Sequence, residues 1–133
     1  VEVTADDADA ARRTLAGWPV ERPALVTVEA PSPGDEAATD AVVALVAGLA
    51  AERSLLAGVA PPEGGDREAA QIMLSDRLRA ETTVPLVLVD PADADHAATA
   101  ILSGRADLCQ GLPSLASTRW APTGSSAIEV VAA

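Results

Sequence analysis

Apolar positions along this chain alternate between two rhythms. Short apolar runs bounded by proline, glycine or acidic residues mark strands, and longer stretches with apolar residues three or four apart mark helices. Val1–Thr4 reads as a first strand, followed by a helix over about 8–16 that Asp6 or Asp7 can cap and Gly17 ends. Ala24–Val28 is the second strand, closed by Pro31-Ser32-Pro33-Gly34. Asp35 opens a helix to about Arg53 with Val42, Val43, Leu45, Val46 and Leu49 on its apolar side. Ser54–Val59 is the third strand, and Asp66 caps a helix to about Glu81 with Ile72, Met73 and Leu78 inward. Leu86–Val89 is apolar at every position, as a strand covered on both faces should be. Asp93 caps a helix over 94–102 that Gly104 stops, and Ala106–Cys109 is the fifth strand. Pro113 opens a last helical turn, and Ile128–Val131 reads as a stray strand in a tail over 122–133.

Five strand–helix repeats at roughly 25-residue spacing predict an α/β protein with parallel βα repeats, a partial (βα)8 barrel of about five strands over residues 1–121. Such folds keep their chemistry at the ends of the strands. The informative positions are therefore those just after Val89 and just after Cys109.

Composition narrows the function. The chain has 20 acids, nine arginines and no lysine, a net charge of −11 that argues against nucleic acid and anionic membrane surfaces as partners. It has no Phe or Tyr, so its core is Leu, Val, Ile and much Ala, and thin per residue. A single cysteine excludes an internal disulfide. With no secretory signal and no apolar run long enough to span a bilayer, the expected location is cytoplasmic. The chain opens directly on a strand, which suggests a piece of a longer polypeptide.

The residues that invite chemical readings mostly admit plainer ones. His96, in the acidic helix start Asp93-Ala94-Asp95-His96, reads as a solvent-exposed histidine beside acids, because a metal site needs three or four ligands. Cys109 has no basic neighbour to lower its pKa and reads as a small apolar residue. Arg105 reads as a structural residue at a helix–strand turn, and Asp76, Arg77 and Arg79 as a solvated helix face. The Asp6, Asp7, Asp9 cluster lacks the glycine-containing loop and terminal Glu of a calcium site. Ser114 lacks an elbow motif, and Gly64-Gly65 lacks a dinucleotide fingerprint.

One set of motifs is more specific. Ser75-Asp76-Arg77-Leu78-Arg79, Val84-Pro85-Leu86-Val87, the run Ala100–Cys109 with Gly104-Arg105-Ala106-Asp107, Gly111-x-Pro113 and Trp120 together resemble the C-terminal end of the Old Yellow Enzyme family, flavin-dependent (βα)8-barrel oxidoreductases. Trp18-Pro19-x-Glu21-Arg22-Pro23 is similar to the same family, closest to the reductase-like domain fused to aromatic-CoA hydroxylases of the salicylyl-CoA 5-hydroxylase type. The resemblance implies barrel strands four to eight.

It also implies ligand positions, and at each the chemical group differs. Where the family has a His pair or His and Asn that polarise the substrate carbonyl, this chain has Thr4-Ala5-Asp6-Asp7. Where an arginine supports the reduced flavin, the nearest matches are Thr27 and Glu29. Where a glycine turn binds the flavin phosphate, Asp90-Pro91 places an anion and removes an N–H. Where Gly-Arg-Pro gives a cation to that phosphate, Gly111-Leu112-Pro113 keeps the turn without it. Asp90, Gly111 and Leu112 thus read as vestigial phosphate-site positions, with no catalytic residue and no metal. The expectation is a catalytically inert, flavin-less remnant domain with a structural or dimerisation role, in self-association or with the remainder of a longer polypeptide, a flavin-dependent aromatic-CoA hydroxylase. The alternative is half of an FMN-dependent NAD(P)H oxidoreductase; a third class is a binding module for acyl-CoA thioesters at the apolar mouth near Asp90 and Gly111.

Overall fold

The computed structural model describes residues 2–4 and 8–110, with side chains from Asp9 onward. The elements alternate strictly: β1 Glu2–Thr4, α1 Ala8–Leu15, β2 Ala24–Glu29, α2 Glu36–Glu52, β3 Leu55–Ala60, α3 Arg67–Glu81, β4 Leu86–Val89, α4 Ala94–Leu102 and β5 Leu108–Gln110. The five strands form one parallel sheet in chain order, β1-β2-β3-β4-β5. The α/β class and parallel repeats expected from the hydrophobic pattern are present. Among the described residues, β1 and β5 are the sheet's two edges.

Three aspartates set the helix starts. The side chains of Asp35, Asp66 and Asp93 accept from the N–H groups of Ala38, Ala69 and His96, each satisfying an orphan donor of the first turn. Gly104, at φ +78°, ends α4 as the left-handed residue that glycine adopts most easily.

All four helices pack on one face of the sheet. Ala11 and Leu15 of α1, Val43, Val46 and Leu49 of α2, and Ala70, Leu74 and Leu78 of α3 share one buried cluster with Val26, Val28, Ala57, Val59 and Leu86. The fourth helix meets the same face through Ala100, which packs with Leu88, Ala106 and Cys109. The register places Leu25, Thr27, Leu56, Gly58, Val87 and Leu108 on the opposite face, where no described helix lies. Leu25 and Val87 are nonetheless each only 1% exposed. At Gly58 the space is closed: a Cβ would stand 2.8 Å from Thr27 Oγ1 and 3.2 Å from Val89 Cγ2. Neighbouring side chains converge over this position, which only glycine leaves open.

Polar ties join consecutive units on the helix side. Arg12 of α1 bonds Glu52 of α2, and Arg77 of α3 reaches Glu36 and Asp40 of α2 as well as Glu81. Arg105 reaches Asp76, and Arg79 reaches Asp107. Asp76 and Arg79 are exposed and Arg77 half-buried, as a solvated helix face requires, and all three also pair with the neighbouring unit, since parallel packed helices bring their flanks within reach of an arginine. Arg53, the residue after α2, donates from its guanidinium to the carbonyls of Leu15, Trp18, Pro19 and Arg22, fixing the α1–β2 connection. Arg22 in turn lies over the Trp18 ring, 5.8 Å from its centroid. Two inward positions also differ: Ile72 and Met73 are half-buried, while Gln71 and Ser75 are buried beside Leu74 and Leu78.

Candidate functional site

The carboxyl ends of the strands carry Glu29, Ala60, Asp90 and Gln110. Glu29 is exposed at the end of β2, and Thr27 is buried two residues before it. Asp90 follows β4 with φ +48°, a left-handed conformation that Asp tolerates better than most residues. Its N–H donates to Gln110 O at 2.7 Å, so the β4 and β5 ends are locked together, and Pro91 behind it is buried. A phosphate lying over these ends would meet two carboxylates. The arginine on this side among the described residues, Arg67, is folded back onto the carbonyl of Pro62 at 3.0 Å.

Beneath the strand ends lies a clamp that the sequence pattern did not reveal. Gln71, buried in α3, donates from Nε2 to the carbonyls of Val59 (3.0 Å) and Val89 (2.6 Å), the last turns of the sheet at β3 and β4. Its position one turn before Leu74 and Ser75 lies on the buried stripe. A polar residue on an apolar stripe was the available signal.

A groove of about 200 Å³ runs between α3 and α4, lined by Glu68, Ile72, Asp93, His96, Thr99 and Arg105. His96 is not the exposed histidine expected. Its side chain is 4% exposed, and Nδ1 lies 3.4 Å from Glu68 Oε1. The cause is its place in α4: the third residue after the cap lies on the buried side of the helix with Ala97 and Ala100, within reach of Glu68 of α3. With its proton on Nδ1, assigned from the Glu68 contact, the ring leaves Nε2 a buried acceptor without a partner among the described residues. The groove is smaller than the ~300–1,000 Å³ of typical ligand sites. No group of three or more His, Cys, Asp or Glu among the described residues is arranged to hold a metal ion.

Cys109 points to the helix side, its Sγ 3.8 Å from Ala97 O, and burial pushes its thiol up to about 11. Such a thiol is a poor nucleophile at neutral pH. Asp107 is a structural tie: its Oδ2 accepts from Leu86 N and from Arg79 Nη2, both at 2.8 Å, and its own N–H donates to Leu86 O. Arg105 sits at the helix–strand turn as expected, bonded to Asp76 at 3.0 Å. Asp9 is exposed beside Arg12. Asp6, Asp7, Gly111, Leu112, Pro113, Ser114, Trp120 and Ile128–Val131 lie outside the described residues. The structure thus brings Asp90 to Gln110, and His96 to Glu68; it does not bring His96, Cys109 and Asp90 into one constellation.

Comparison of the chain with protein families, curated proteins and solved structures finds no match.

Proposed function

We propose that this chain is a non-catalytic packing domain, an arc of a (βα)8-type barrel that associates with a second copy or with the remainder of a longer polypeptide. The observation that carries this reading is the strand order. Five parallel strands follow one another in chain order with every described helix on one face, which is how consecutive units of a closed barrel are laid out. An arc of this kind ends in two strand edges whose N–H and C=O groups call for a partner.

The strand ends support the absence of catalysis. Among the described residues, Glu29 and Asp90 put negative charge at the strand ends, and Arg67 is bonded to the carbonyl of Pro62. The motif around Gly104–Cys109 supports descent from an Old Yellow Enzyme-like barrel, and with it a flavin-dependent aromatic-CoA hydroxylase as host. Titration of FMN with the purified chain, followed by flavin fluorescence, tests the reading. No quenching is expected, and NADH should reduce no enone in its presence. A stoichiometric flavin complex overturns it.

A further inference from the structure

We propose that the groove between α3 and α4 binds an alkylammonium ion, its N–H groups on His96 Nε2 and the Glu68 carboxylate and its methylenes on Ile72 and Ala100. The histidine carries this first. Its side chain is 4% exposed and lines the groove, and Nε2 has no partner among the described residues. A buried polar atom of this kind calls for a partner. With the Nδ1 proton directed at Glu68 Oε1, 3.4 Å away, Nε2 can only accept. The group that completes it must therefore donate.

The rest of the groove asks for the same group. Glu68, Asp93 and Asp95 line it, and among the described residues none of the three is paired with an arginine. Arg105, the arginine of the lining, is turned to other partners: Nε donates to Asp76 Oδ1 at 3.0 Å and Nη1 to Ser103 Oγ at 3.4 Å. The groove thus presents acceptors and negative charge, which suit a donor-rich cation and repel a phosphate or carboxylate. The described residues hold no group of three ligands for a metal ion, so the cation is an organic one. Ile72 and Ala100 supply apolar contact for a short chain behind the head group. At about 200 Å³ the groove has room for an amine of a few carbons and none for a nucleotide. The site lies between two helices, away from the sheet edges, and is independent of the packing role.

Titration of the full chain with butylammonium chloride in mildly alkaline buffer at physiological salt, read by NMR, tests it. The amine is a cation there. His96 is the chain's one histidine, so its ring nitrogens are unambiguous reporters. The Nε2 resonance should shift saturably, and the amides of Glu68 and Thr99 with it, while those of β2 stay in place. Butyltrimethylammonium has the same charge and chain but no N–H, and should bind at least tenfold more weakly. Glu68→Gln, at a half-exposed side chain, should weaken butylammonium binding at least fivefold. Glu21→Gln, in the exposed α1–β2 connection, removes the same charge elsewhere and should leave binding unchanged. Equal binding of the two ions, or equal effects of the two variants, would show attraction to overall negative charge and overturn the proposal. So would the lack of a saturable Nε2 shift with millimolar amine.

Discussion

Between β2 and α3, leucine and valine from three strands and two helices interlock with Ala11 and Leu15 of α1 in one buried cluster; around α4 and β5 the same face of the sheet holds Leu88, Ala100 and Ala106, with Cys109 beside them. The repeat is the same in both regions, a strand followed by an aspartate-capped helix. What differs is the apolar area available. Each fully buried Leu or Val contributes roughly 1.5–3 kcal/mol, and an alanine methyl far less. The α4–β5 end has its own polar ties: Asp107 to Leu86 and Arg79, Arg105 to Asp76, Asp90 to Gln110, and His96 to Glu68. Polar ties run through both regions, from Arg53, Arg77 and Gln71 in the middle as well as from Asp107 at the end, but the end has less apolar burial beneath them and is where local opening should begin.

Truncating a side chain in each region gives the sharpest break of this comparison. Leu74→Ala removes a side chain that is 1% exposed at the centre of the large cluster and should cost about 3 kcal/mol, seen as a lower urea midpoint at unchanged slope. Ala97→Gly in α4 should cost about 1 kcal/mol, chiefly through backbone freedom. Equal losses would mean that the two ends are packed alike.

Removing a tie should invert the pattern. Asp107→Ala leaves the buried N–H of Leu86 without its acceptor and frees Arg79. An unsatisfied buried donor costs about 1–3 kcal/mol. The loss should appear as faster exchange at Leu86 and along β5, while α2 and β2 stay protected. Asp107→Asn keeps an oxygen for Leu86 and should recover part of the loss. Uniform acceleration across the sheet would show that the end does not open independently of the middle.

The middle and the end also differ in how legible they were. Strands β2, β3 and β4 follow from apolar runs flanked by proline and glycine, and Asp35, Asp66 and Asp93 were each readable as caps, because those signals are local. The fifth strand, expected at 106–109, lies at Leu108–Gln110: Ala106 spends its N–H on Ala100 O, closing the α4 turn, and Asp107 bonds Leu86 of β4 just before the paired residues begin. The same kind of non-local choice hid the site. His96 looks like an exposed helix-start residue until α3 is placed beside it. Gln71 sits on the buried stripe of α3, but the two strand-end carbonyls it bonds are visible only once the sheet is placed. Which helix neighbours which is set by the sheet order, and no single segment carries that information.

Gly58 tests the middle on its other face. Gly58→Ala should cost about 1–3 kcal/mol, because its Cβ would overlap Thr27 Oγ1 at 2.8 Å. Combining it with Thr27→Ala, which removes that oxygen, should recover much of the loss in a double-mutant cycle. A cost that is the same with and without the Thr27 hydroxyl would mean that the sheet is flatter here than an arc requires.

The mildest expected effect belongs to the end of the sheet, and pH isolates it. Burial raises the Cys109 thiol from near 9 to about 11, because the thiolate loses hydration against Ala97 and Ala100. The folded state therefore disfavours ionisation. Its contribution to stability is complete below pH 9 and is lost as pH rises through 11. The sequence contains no lysine and no tyrosine, the other side chains that ordinarily titrate near this window. The rate of alkylation by iodoacetamide should inflect near pH 11, and Cys109→Ser should flatten the decline in stability between pH 9 and 11. An inflection near pH 9 would place the thiol in water, and with it the α4–β5 contact that distinguishes this end of the sheet from a strand left open.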